Sequence, residues 1–193
     1  MQLILLRHGQ SVADILNVIE GRADFELTLY GKIQVEETAK KLSRLYKINK
    51  IYSSTLKRAR QTAEILNKHY QLDIVYLDDL MEFNNGLIAG LTREEADRLY
   101  PKDENLPFDK AMYGMESQKD FRLRAEKVLN HIISNAEEND IIAIVSHGGM
   151  INRLYQAFLK MPLQAVVSYP SGDAKYHIWS IEKGIRKIIS SNN

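Results

Sequence analysis

The sequence has no cysteine, almost no excess of charge of either sign and no long apolar run, and each absence removes a class of function. Without cysteine there is no disulfide framework, no thiolate nucleophile and no thiolate-held zinc or iron–sulfur centre. Lysine and arginine together number 26 against 25 aspartates and glutamates. No overall field therefore draws the chain to nucleic acid, and affinity for an anion has to come from positive groups gathered locally. No stretch is long enough to span a bilayer as a helix. The opening residues 1–6 form a short apolar run that meets Arg7 and His8 at once, unlike a secretory leader. Neither a repeat nor a low-complexity tract is present. These features lead us to expect a soluble, cytoplasmic protein with no nucleic-acid and no membrane partner, built as one domain over residues 1–193.

What is present is an alternation of two patterns. Residues 2–6, 51–53 and 141–145 are short, nearly continuous apolar runs that end in polar turns, as strands buried on both faces do. Residues 28–46, 56–70 and 117–136 repeat apolar positions every three or four residues, as helices with one buried face do. Thr28 and Ser117 are suited to cap the first and third of these helices. Strands that alternate with helices predict an α/β fold, with a mostly parallel central sheet and helices on both faces. Residues 175–181 and 185–189, separated by Lys183-Gly184, read as a hairpin at the sheet edge. Residues 84–116, with Pro101, Pro107 and three glycines, read as an excursion from the core that could close over a site.

The chemistry is concentrated where predicted strands end. Arg7-His8-Gly9 follows the first strand, at the carboxyl edge where open α/β sheets place their ligand crevice. Ser146-His147-Gly148-Gly149 follows another strand and opens a helix, whose first N–H groups and positive dipole end suit a phosphate. Arg58 lies in a third such place, 53–63. Either histidine motif alone is as well explained by a surface turn, and Arg58 alone by a solvated helix face. Together, two guanidiniums and two imidazoles converging on one crevice would make a preformed pocket for a dianion.

At this point the chain resembles the histidine phosphatase superfamily, whose members include phosphoglycerate mutases and many small phosphatases. The resemblance runs through six segments in order: Leu5 to Ser11, Gly21 to Gly31, Ser53 to Ala63, Met81 to Thr92, Gly114 to Ser117 and Val145 to Gly149. It implies His8 as the nucleophile, Arg7, Arg58 and His147 as phosphate ligands, and Glu82 as the acid that becomes the base. It also implies substrate contacts at Gly21 and Gly148. The expected substrate is a small phosphomonoester, the expected intermediate a phosphohistidine, and neither a cofactor nor a metal is called for. Physical chemistry agrees with each role. A neutral imidazole is a nucleophile toward phosphorus near neutral pH, and arginines with a helix end can neutralise the transferring group.

The chain departs from the family pattern at two places. Where many members have an asparagine six residues after the nucleophile, it has Asp14, whose carboxylate is expected to turn away from phosphate and to orient Arg7 or Arg58. The bland alternative is that Asp14 caps a helix start. Asn17, three residues on, is expected to supply a replacement amide to the substrate if the segment is helical. The second departure concerns mutase activity, which in this family goes with an arginine and a tyrosine after the acid. Here those places hold Phe83 and Asn85, so hydrolysis is favoured over phosphoglycerate mutase-type transfer. A catalytically silent phosphate-binding module is the third reading, and the retention of His8, Glu82 and His147 speaks against it.

Overall fold

The computed structural model describes residues 1–193. Its centre is a six-stranded sheet in the order β3-β2-β4-β1-β5-β6, formed by β1 (Gln2–Arg7), β2 (Lys50–Ser53), β3 (Ile74–Tyr76), β4 (Ile141–Ser146), β5 (Tyr176–Glu182) and β6 (Ile185–Ser190). The first four strands run parallel, and β5 and β6 join antiparallel beside β1. The expected hairpin is therefore present, with β6 at the edge. The opposite edge, β3, lies outside the sequence expectation because its three residues are too few to show a period.

The apolar runs work because alternate residues serve opposite faces of the sheet. Leu3, Leu5, Ile142, Ile144 and Trp179 pack on one side against helices α5 (Gln118–Ser134) and α6 (Gly148–Phe158), through Phe121, Leu129, Ile151 and Phe158. Ile4, Leu6, Ala143, Val145 and Ile178 pack on the other side against α2 (Leu29–Leu45) and α3 (Lys57–Asn67), through Leu42, Ala63 and Leu66. Burying a side chain such as Leu5 stabilises the fold by about 2 kcal/mol relative to leaving it in water. Thr28 and Ser117 cap α2 and α5 as expected, accepting hydrogen bonds from Gly31 and Asp120 N–H.

Two features of this architecture position a site. Strand β4 sits between β1 and β2, with Arg7 level with Ser146 and Ser53 level with Val145, so three carboxyl ends and the turns after them lie side by side. The excursion, with α4 (Arg93–Leu99), is pinned at its neck, where Glu116 N–H donates to Asn84 O. Its body leans on the segment after β1, since Ile19 N–H donates to Leu91 O and Gly90 N–H to Ile19 O. No helix is long and apolar enough to cross a membrane.

Candidate active site

His8 is 1% exposed, and its Nδ1 lies 2.8 Å from the carbonyl oxygen of Gly9. Only an N–H can bond a carbonyl, so the proton sits on Nδ1 and the lone pair on Nε2. The other contact agrees: Arg58 Nε–H donates to His8 Nε2 over 3.3 Å. Burial, reinforced by the charges of Arg58 and Arg7, lowers the pKa of His8 well below that of a free imidazole, although the Gly9 carbonyl opposes this. His8 is thus a neutral imidazole with an oriented lone pair.

Arg58 stands in the first turn of α3 with no exposed surface. Its terminal nitrogens donate to Ala23 O at 3.0 Å and Gly21 O at 2.8 Å, leaving Nε to face His8. Gly21 earns its place here as backbone: its φ is +49°, and a Cβ on it would collide with the side chain of Asn85. Arg7 is held in a similar way by loop residues ahead of β5, with Nη1 donating to Ser171 O at 2.6 Å and Nη2 paired with Asp173 at 3.0 Å. Its Nε is buried and has no partner within the chain.

His147 caps α6 and is fully buried, with its ring centroid 5.1 Å from that of His8. Its Nε2 lies 2.8 Å from Ser54 Oγ, which already accepts from Leu56 N–H. With the Ser54 hydroxyl donating to Nε2, the imidazole proton sits on Nδ1. That nitrogen, like Arg7 Nε, is buried without a partner in the chain. Burial, with Arg58, His8 and Arg7 adding to it, lowers the pKa of His147 well below the free value. Gly148 opens α6 against Arg7, whose guanidinium would touch a Cβ placed there.

Glu82 reaches the same helix mouth from the start of the excursion. Its Oε2 accepts from Gly149 N–H at 2.9 Å and its Oε1 from Phe83 N–H at 2.8 Å. The loop that carries it is clamped from below by Arg124 of α5, which donates to the carbonyls of Asp79, Met81 and Glu82 and forms a two-point pair with Glu116. Glu116 in turn accepts from Asn84 N–H, and Arg22 donates to Glu82 O.

Arg7, His8, Arg58, Glu82, Gly21, His147 and Gly148 are thus gathered as expected, but Asp14 and Asn17 are placed differently. Asp14 is exposed and accepts from Ser11 N–H at 2.7 Å, completing a reciprocal cap on α1 (Val12–Leu16). It orients neither arginine, since Asp173 and the Gly21 and Ala23 carbonyls do that work. Asn17 lies exposed just past α1 in a left-handed conformation, φ 52°, because the helix ends at Leu16. Four contributors escape a reading of the sequence: Glu20, Ser54, Asp173 and Arg124. Ser54 lies within the Ser53 to Ala63 segment and Glu20 directly precedes the Gly21 to Gly31 segment, so their position was a signal. Asp173 and Arg124 carry none, since only folding brings them to Arg7 and Glu82.

This geometry coincides with a sequence-wide match, because the model of the histidine phosphatase superfamily, branch 1, fits residues 3–193. The chain belongs to the histidine phosphatase superfamily. As a histidine phosphatase it is similar to phosphoserine phosphatase 1 of Hydrogenobacter thermophilus, with 28% identity over 196 residues, covering 100% of this chain and 92% of the relative. It is also similar to phosphoglycerate mutase-like protein 4 of Arabidopsis thaliana, 31% identical over 80% of this chain and 70% of the relative. Among solved structures it resembles a mycobacterial glucosyl-3-phosphoglycerate phosphatase, with a TM-score of 0.83 and 27% identity over 99% of this chain and 98% of that one. These relatives support a hydrolase, and the α/β architecture is that of the phosphoglycerate mutase-like proteins.

Proposed function

We propose that this histidine phosphatase hydrolyses a small phosphomonoester through a phosphoryl group carried on His8 Nε2, without a metal ion. The observation that carries the reading is the Nε2 lone pair facing Arg58 Nε–H at 3.3 Å, beside two buried nitrogens, Arg7 Nε and His147 Nδ1, that have no partner in the chain. Buried donors without partners are costly, and a phosphoryl group with three acceptor oxygens satisfies them.

In the first step the lone pair attacks phosphorus, the ester P–O bond breaks, and the leaving oxygen takes a proton from Glu82. In the second step water attacks phosphorus, gives its proton to the Glu82 carboxylate, and the P–N bond breaks to return the lone pair to Nε2. Arg7, Arg58 and the α6 N-terminus hold the charge of the equatorial oxygens throughout, which is the part a metal ion plays in other phosphoryl-transfer sites.

The alcohol part of the substrate fits a cavity of about 380 Å³ under the excursion, walled by Phe83, Ile88, Leu106, Met112 and Tyr113, with Arg93 at its side. Of its walls, Phe83 directly follows Glu82 in the chain. Its apolar walls favour an alcohol with apolar surface over a bare polyol. The near balance of charge and the built anion pocket support a small molecule rather than nucleic acid or membrane as partner.

The test is phosphate release from p-nitrophenyl phosphate in the presence of a chelator, together with trapping of labelled enzyme. Turnover with chelator and an acid-labile, base-stable label that is absent from His8→Ala support the reading. Loss of turnover on chelation, or a label that persists on His8→Ala, overturns it.

A further inference from the structure

The phosphate pocket already contains an anion of the protein's own. Glu20, four residues beyond the end of α1, turns its side chain inward. One oxygen, Oε2, lies 3.6 Å from His8 Nε2 and 3.5 Å from Arg58 Nε, and the other accepts a hydrogen bond from Ser11 Oγ. A phosphorus atom positioned for attack needs to stand roughly 3–3.5 Å from Nε2. Its oxygens need Arg58 Nε–H, the same donor that Oε2 faces. The carboxylate and a phosphoryl dianion therefore compete for one place.

We propose that Glu20 is a built-in occupant of the phosphate pocket, and that phosphate binds with uptake of one proton by Glu20, which then donates to a phosphoryl oxygen instead of repelling it. The proposal rests on the phosphatase reading above and adds to it a proton-linked gate on the binding step. A carboxylate held against an incoming dianion is a like charge in a site of low dielectric, whereas a carboxylic acid is a hydrogen-bond donor. A protonated carboxyl is within reach at this position. Burial raises the pKa of Glu20 above that of a free glutamate and Asp14 adds to the rise, while Arg58, Ser11 and Arg7 work against it. The groups that face it are Ser11 and Asp14 from the start of α1, Arg7 and His8 from the end of β1, and Arg58 from α3. A bound dianion pushes the pKa of Glu20 higher still, which is the linkage the gate requires.

The sign follows. Below its own pKa Glu20 is neutral and does not oppose phosphate. As pH rises through its pKa, the pocket fills with the protein's own charge and phosphate binding weakens beyond what phosphate's own second ionisation produces.

The experiment is calorimetric titration of the full chain with inorganic phosphate at pH 5.5, 7 and 8.5, in buffers of different ionisation enthalpy, for wild type and Glu20→Gln. The amide keeps the shape and removes the charge. At pH 8.5 Glu20→Gln should bind phosphate about tenfold or more tightly than wild type, the gap should narrow steadily towards pH 5.5, and wild type should take up as much as about one more proton on binding than the variant at pH 8.5. Glu20→Ala should move in the same direction, which covers a failure of the glutamine variant to fold. Equal affinities and equal proton uptake at every pH overturn the gate, as does weaker binding by both variants, which would make Glu20 a ligand in its ionised form. Failure of every protein to bind phosphate overturns it too. Turnover of p-nitrophenyl phosphate by wild type reports separately on the phosphatase reading.

Discussion

Glu82 and Gly149 are 67 residues apart in sequence and meet through a 2.9 Å hydrogen bond from the glycine N–H to a carboxylate oxygen. The contact fixes the Glu82 carboxylate, the proposed acid, at the mouth of α6, where His147 is the N-cap residue. It also explains why residue 149 has no side chain, since a Cβ there would run into Glu82 Oε1. Gly149→Ala should therefore displace the acid without touching the arginines. We expect turnover of an alkyl phosphate to fall by about a hundredfold, with a much smaller loss for p-nitrophenyl phosphate, whose leaving group needs no proton. Glu82→Gln should show the same leaving-group pattern. Equal losses on both substrates in single-turnover measurements would assign Glu82 to binding instead.

Arg124 touches neither His8 nor the arginines of the phosphate pocket, yet it holds three carbonyls of the acid-bearing loop and Glu116. Arg124→Met should lower kcat about ten- to a hundredfold and leave the dissociation constant of phosphate within about twofold, because only the acid is loosened. Arg124→Lys should not restore the rate, since a single ammonium cannot replace a planar fork with contacts in several directions. A variant that loses phosphate affinity as strongly as turnover would show that Arg124 supports the whole pocket.

Asp14 closes a helix cap and orients no ligand. Asp14→Ala should accordingly cost about 1 kcal/mol of stability, read as a shift of the urea midpoint, while phosphate affinity at pH 6 changes less than twofold. A large change in affinity there would return the residue to the binding site.

Three buried histidines make stability depend on pH. Burial lowers the pKa of His8 and His147 well below the free value, and that of His177 to about 4. The unfolded chain takes up protons near pH 6.5 and the folded one only at lower pH, so stability is present above pH 6.5 and is lost as pH falls below it. Each histidine still neutral in the fold at pH 5 contributes a loss of about 2 kcal/mol between pH 6.5 and 5. Glu20, with its pKa raised, works in the opposite direction as one group against three. Urea midpoints at pH 7.5 and 5 should therefore fall together with pH, and a midpoint that is flat or higher at pH 5 would count against buried neutral imidazoles.

The cavity beside Phe83 makes a prediction about preference. Aryl and branched alkyl phosphates should show higher kcat/KM than glycerol phosphate, and Met112→Asp, which places a charge in the apolar wall, should narrow that gap by about tenfold while sparing phosphate affinity. An unchanged preference would place the alcohol group elsewhere.

Fold class was legible in the residues alone, and so was the grouping of Arg7, His8, Arg58 and His147 at strand ends, because both signals are local. Alternating apolar strands and periodic helices state their type within ten or twenty residues, and Arg7-His8-Gly9, Ser146-His147-Gly148 and Arg58 each sit where a strand gives way to a turn or helix. The three-residue strand β3 was not legible, since it has too few residues for a pattern and is held by pairing with β2. Which groups hold these side chains in place became visible only once distant elements had packed together. Asp173 meets Arg7, Ser54 meets His147, Arg124 meets the Glu82 loop and Glu20 enters the phosphate pocket across gaps in sequence that no spacing encodes. Asp14, by contrast, was drawn to its nearest partner, the Ser11 N–H three residues away. A carboxylate takes the donor that the local backbone presents, and only packing between distant elements reveals whether a ligand site lies within its reach.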